Sequence, residues 1–134
     1  MGKFSGIVET ITKELDNFTD KEVIALGLDI NEGLVQITPK ITSWAANNWI
    51  PNVGEPFRST VGSPDNPSAG ASVRTAAIAS IVSNYSFKKG PLFISNNVDY
   101  IEPLNNGRTN KAPLGFVQLT VVEKVDRASK FRLA

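Results

Sequence analysis

The stretch ASVRTAAIASIVSNYSFKKGPLFISNN, residues 71–97, decides the fold. Its first half is rich in alanine, and Val73, Ala77, Ile81 and Tyr85 recur every fourth residue. That is the repeat of one helix face, so a helix is predicted over Ala71 to Tyr85. The small residues Ala76, Ala79 and Ser80 allow a neighbouring surface to approach closely. Lys88 and Lys89 put cations at the negative end of the helix dipole, and Gly90 supplies a stop. Pro91-Leu92-Phe93-Ile94-Ser95 follows as a short, buried strand, and Asn96-Asn97 turns the chain. A helix that hands over to a strand so quickly implies an α+β fold. The expectation is a small mixed or antiparallel sheet packed against two or three helices.

Upstream, Phe4, Ile7, Val8, Ile11, Leu15 and Phe18 recur at intervals of three and four. Residues 1–18 are therefore predicted to be an N-terminal amphipathic helix, giving a long N-terminal helical region. Thr19-Asp20-Lys21-Glu22 has the form of a capping box and opens a second helix. Val23, Leu26, Ile30, Leu34 and Ile37 give that helix its apolar seam, while Gly27 and Gly33 weaken it by up to ~1 kcal/mol each. It should end at Thr38-Pro39, because proline disfavours helical geometry in the residue before it. Pro51, Gly54, Pro56, Gly62, Pro64 and Pro67 then break the pattern. Two extended pieces are expected, Trp44 to Ile50 and Phe57 to Val61, with an exposed loop at Ser63 to Pro67.

Downstream, Val98 to Leu104 suits a helical turn closed by Asn105-Asn106-Gly107, and Arg108 to Pro113 a polar loop. Leu114 to Val125 stays open between two readings. Its β-branched residues favour strand, yet Leu114, Val117, Val121 and Val125 share a helix face. Residues 126–134, with Arg127, Lys130 and Arg132, are expected to be a flexible tail. Residues 1–134 fit one domain, since a chain of this length buries roughly two-thirds of its unfolded surface.

The composition excludes several kinds of chemistry. Fourteen Lys and Arg against 13 Asp and Glu give a net charge of +1, far from the basic excess of a non-specific nucleic-acid binder. There is no cysteine and no histidine. A thiolate nucleophile, a disulfide framework and the commonest general base are therefore missing. No phosphate-binding glycine loop or nucleophile elbow occurs. Asp99 and Glu102 are three residues apart and are the best case for a carboxylate pair, but more simply they are solvated acids. Trp44 and Trp49, with Lys88-Lys89, would form the surface of a small nucleic-acid-binding module; the simpler reading makes them core or contact anchors. The expectation is a protein that is not an enzyme and carries no cofactor and no metal. No apolar run approaches the ~20 residues needed to span a bilayer, so no membrane partner is expected. The N-terminus lacks the apolar core of a signal peptide, and the chain is expected to be made in a cytoplasm.

Two stretches resemble a family of bacteriophage neck and tail-completion proteins. Thr38-Pro39-Lys40-Ile41-Thr42-Ser43-Trp44-Ala45-Ala46-Asn47-Asn48-Trp49 is similar to a family signature at Thr38, Pro39, Thr42, Ala45, Asn48 and Trp49. It departs at Ile41, Ser43 and Trp44, where the family usually has Asp, Gly and Arg. The second stretch matches better. Asn96 and Tyr100 sit in Ile94 to Ile101 as in the family, followed by Leu104-Asn105-Asn106-Gly107 and by Ala112-Pro113-Leu114-Gly115-Phe116-Val117. The resemblance covers roughly residues 20–125. It implies a structural virion protein, made in a bacterial host and placed in the neck or upper tail. Such proteins form rings, usually six-fold, that complete the tail and join it to the head. The implied partners are copies of itself, a head–tail connector or stopper protein and tail-tube proteins, with DNA only as cargo passing through the channel. Within that role the loops Gly54 to Gly70 and Arg108 to Pro113 are the best candidates for subunit contacts.

Overall fold

The computed structural model describes residues 19–40, 43–107 and 111–133. The predicted helix over residues 1–18, and the signature residue Thr42, lie outside the described residues. In chain order the elements are α1 (Asp20–Ile37), α2 (Trp44–Asn47), β1 (Ile50–Val53), α3 (Ala69–Asn84), a 3₁₀ turn (Phe87–Lys89), β2 (Leu92–Ser95), α4 (Ile101–Asn105) and α5 (Phe116–Leu133). The fold is α+β, as the sequence implied. Its sheet is one antiparallel pair, with Ile50 opposite Ser95 and Val53 opposite Leu92. Pro51 is tolerated there because each strand of a two-stranded sheet is an edge.

The ends of α1 follow from sequence. The Glu22 amide donates to Thr19 Oγ1 at 3.2 Å, and the Thr19 amide donates to Glu22 Oε1 at 3.2 Å, completing the capping box. At the other end Thr38 is already extended (ψ 128°) ahead of Pro39. Leu26, Ile30 and Leu34 of the predicted seam are buried, but Ile37 is exposed. They join Ala45, Trp49, Val98, Ile101, Phe116, Val117 and Val121 in the core.

Three expectations are corrected. Trp44 to Ile50 is not extended: Ser43 turns the chain through a left-handed conformation (φ 66°), Trp44–Asn47 make one helical turn, and pairing starts only at Ile50. Phe57 to Val61 pairs with no strand; asparagine side chains take up its backbone groups instead. The open reading of Leu114 to Val125 resolves to helix from Phe116 onward, with Leu114 and Gly115 in the turn before it. Phe116, Val117, Thr120 and Val121 are all buried at helical spacing, and packing of that face outweighs the strand preference of the valines. The same helix continues to Leu133, through residues that had been expected to form a tail.

α5 runs antiparallel to α1. Asp29 pairs with Lys124 at 3.5 Å and with Arg127 at 3.9 Å, while Gly33, further along α1, lies against Thr120. A Cβ at Gly33 would come within 3.0 Å of the Lys124 and Thr120 side chains. The glycine that costs helix propensity is thus where α5 closes on α1. The ion pairs are partly exposed and contribute little.

One buried group goes against the general pairing of polar atoms. Asn31 on α1 is 1% exposed, and among the described residues its Oδ1 has no hydrogen-bond partner. An unpaired buried acceptor costs about 1–3 kcal/mol. Asn31→Leu is therefore expected to hold or raise the thermal midpoint, and a clear drop in a melting experiment would contradict this placement.

Candidate functional site

The first of the two stretches that carry the family resemblance forms the base of one loop. Trp49 is buried, and its indole N–H donates to Thr38 Oγ1 at 2.8 Å; the Thr38 hydroxyl in turn donates to the carbonyl of Leu34. Pro39 is buried beside them. This lock ties the end of α1 to the start of β1.

Asn48, buried at the end of α2, grips the loop from Gly54 to Ser68. Its Nδ2 donates to the carbonyls of Trp44 (2.8 Å) and Val61 (3.0 Å), and its Oδ1 accepts from the Val61 amide (2.8 Å). The Trp44 indole N–H also donates to the Val61 carbonyl, at 3.0 Å. Its ring lies 5.8 Å from that of Tyr100, tilted by 58°. Asn47 holds the far end of the loop by donating to the Pro67 carbonyl at 3.0 Å, and Asn97 holds the near end by donating to the Phe57 carbonyl at 2.7 Å. Between these anchors the tip is a tight turn. Ser63 and Asn66 exchange backbone hydrogen bonds of 3.3 and 3.0 Å, and Pro64, Asp65 and Asn66 are exposed.

The clasp needs close backbone approach. Gly70, in the first turn of α3, lies against α2, and a Cβ there would stand 2.5 Å from the Asn47 carbonyl oxygen. Arg74, one turn further on, donates to that same oxygen at 3.1 Å. Burial pushes the Arg74 guanidinium below its ordinary pKa.

The second stretch frames the other side. Buried Asn96 donates to the Ala45 carbonyl at 2.8 Å and accepts from the Val98 amide at 3.1 Å. Buried Asn105 accepts from the Val117 amide at 2.9 Å and donates to Gln118 at 2.8 Å, while its own carbonyl accepts from the Gly115 amide at 2.7 Å. The bonds to Val117 and Gly115 satisfy two amides at the start of α5 that have no partner within the helix. Phe116 is 1% exposed. Leu104, Tyr100 and Ala112 are half-buried against the core. Gly107 (φ 97°) and Gly115 (φ 70°) both take the left-handed conformation that glycine suits. Pro113, one of the matching residues, is exposed.

Sequence reasoning picked out Asn48 and Asn96 but gave no bonding role to Asn47, Asn97, Asn105 or Arg74. The available signal was the density of asparagines flanking tryptophan- and proline-rich segments.

Other candidate chemistry does not converge. Asp99 and Glu102 are both exposed, and among the described residues no group of three acidic side chains could hold a metal ion. Buried Trp49 offers no face for stacking. Lys89 caps the end of α3, donating to the Asn84 carbonyl at 2.6 Å. A shallow cleft of about 200 Å³ lies between β1 and α3, lined in part by Pro51, Val53, Ile81 and Tyr85. Burial, and secondarily the charge of Asp20, raise the Tyr85 hydroxyl above its ordinary pKa. Among the described residues no helix is long and apolar enough to cross a membrane. Compared with known proteins, the chain matches no family profile, no curated sequence and no solved structure.

Proposed function

We propose that the chain is a structural subunit of the neck or upper tail of a long-tailed bacteriophage, acting by shape and contact and not by catalysis. In this reading copies close into a ring, six-fold by resemblance, which completes the tail and joins it to the head connector or stopper around the DNA channel. The observation that carries the reading is the clasp. Side chains within the two stretches that resemble neck and tail-completion proteins, buried Asn48 with half-buried Trp44, Asn47 and Asn97, fix one exposed loop on a rigid base. A ring subunit needs such a feature, because a heterologous contact closes only if its contacting surface holds a defined angle. The near-neutral charge fits a channel that lets DNA pass without gripping it.

Purified protein added to tail-deficient particles lacking it is expected to restore head–tail joining, with a ring at the junction by electron microscopy. Joining that is equally efficient without the protein would end the proposal. The loop tip gives a finer test. Replacing Pro64, Asp65 and Asn66 by glycines, which keeps the Pro67 anchor and the loop length, should leave the melting midpoint nearly unchanged and abolish joining. Normal joining by that variant would remove the tip from the contact.

A further inference from the structure

The sheet keeps an open edge. The Gly54 amide donates to the Pro91 carbonyl at 2.9 Å, so by antiparallel alternation Asn52 with Phe93 and Ile50 with Ser95 are the bonded pairs. The N–H and C=O groups of Leu92 and Ile94 therefore point away from β1. Among the described residues no strand lies on that side of β2, and no hydrogen bond reaches those groups. The loop after β1 carries a second open edge. Residues 57–61 run without a bend, and Arg58, Ser59 and Thr60 are exposed. Asn97 donates to the carbonyls of Phe57 and Ser59 at 2.7 and 3.3 Å, and Asn48 holds both the carbonyl and the amide of Val61. Every second residue is thus bound from within. In extended chain the backbone groups of the residues between them, Arg58 and Thr60, face the other way. Among the described residues these groups also have no hydrogen-bond partner.

We propose that residues 58–60 of one copy pair with β2 of the next copy and add a third strand to its sheet. This rests on the ring reading and names the surfaces that meet. Both halves of the contact lie on this one chain, and they match. Each edge offers two alternate residues, each with one donor and one acceptor. With Ser59 set antiparallel to Phe93, Arg58 exchanges two hydrogen bonds with Ile94, and Thr60 exchanges two with Leu92. The asparagines hold the segment extended before it docks, so little ordering is lost on pairing. The two edges are different parts of the subunit, so the contact is head-to-tail, the type from which rings close. It also gives the strand-like sequence of Phe57 to Val61 the partner strand that its own chain does not supply, and it adds to a two-stranded sheet that is marginal alone.

The chain has no cysteine, so introduced thiols report the pairing directly. Ser59 and Phe93 would form a non-bonded pair, whose Cα atoms stand about 4.5 Å apart, within disulfide reach. Full-length Ser59→Cys and Phe93→Cys proteins, mixed and mildly oxidised, are expected to form a disulfide-linked dimer at least about tenfold faster than either alone. Equally fast cross-linking of Ser59→Cys alone would mean that the segment pairs with itself, and would overturn the proposal. So would the absence of a cross-link in the mixture. Hydrogen exchange needs no substitution: the amides of Arg58, Thr60, Leu92 and Ile94 should slow by at least about tenfold in concentrated against dilute wild-type protein. Unchanged exchange would also overturn the pairing. Thr60→Pro removes one outward N–H and leaves every asparagine anchor in place. It should keep the melting midpoint and abolish head–tail joining. Normal joining by this variant, where the wild-type protein restores joining, would overturn the strand pairing and leave the ring standing. Failure of the wild-type protein to restore joining would instead overturn the ring.

Discussion

Trp49→Ala is expected to lower the unfolding free energy by about 3–5 kcal/mol, the range for deleting a large buried aromatic. Trp49 is 1% exposed and belongs to a core cluster drawn from α1, α2, the segment after β2, α4 and α5. No single element can shift to fill the space. The substitution also removes the donor to Thr38 Oγ1. Trp49→Phe separates the two effects, because it keeps most of the apolar volume and loses only the hydrogen bond, worth about 1 kcal/mol. Urea denaturation should show the midpoint falling with an unchanged slope. A loss below about 1 kcal/mol for Trp49→Ala would mean that the lock between α1 and β1 does not hold the fold together.

The second large effect is expected at Phe116, where Phe116→Ala should also cost about 3–5 kcal/mol. Phe116 is the first residue of α5 and is fully buried next to the amides that Asn105 satisfies. Phe116→Leu conserves most of the volume and should cost less than about 1.5 kcal/mol. The contrast between the two, read in the same denaturation experiment, distinguishes packing from damage to the helix start. Similar losses for both variants would point to the helix start.

What could be read from sequence divides along physical lines. α1, most of α3 and β2 were legible because their signals are local: a capping box at Thr19 and Glu22, a proline after Thr38, a four-residue repeat through Ile81, a glycine at the end of a helix. α5 was ambiguous because valine prefers strands while its spacing fitted a helix, and only burial against Leu26, Ile30 and Leu34 decides between them. The loop after β1 carries the local signals of an extended piece over Phe57 to Val61, but its backbone is satisfied from a distance. Asn48 reaches Val61, Asn97 reaches Phe57, and Asn47 reaches Pro67. No local pattern announces bonds of that kind. The motif residues Thr38, Asn48, Trp49, Asn96 and Phe116 were singled out by resemblance; their burial accounts for them as framework rather than as chemistry. Arg74 and Gly70 were missed because their importance comes only from the approach of α3 to Asn47.

The asparagines that fix the loop hold almost nothing specific to its sequence. They bind the carbonyl oxygens of Phe57, Val61 and Pro67, and every amino acid has a carbonyl there; only position 61 must also keep an N–H, which excludes proline. The path of the loop and the identity of its side chains are therefore separable properties. Residues 58–60, 64 and 65 can be exchanged while the frame beneath them stays as it is, so if the loop is the contact proposed above, its mating surface can change without refolding.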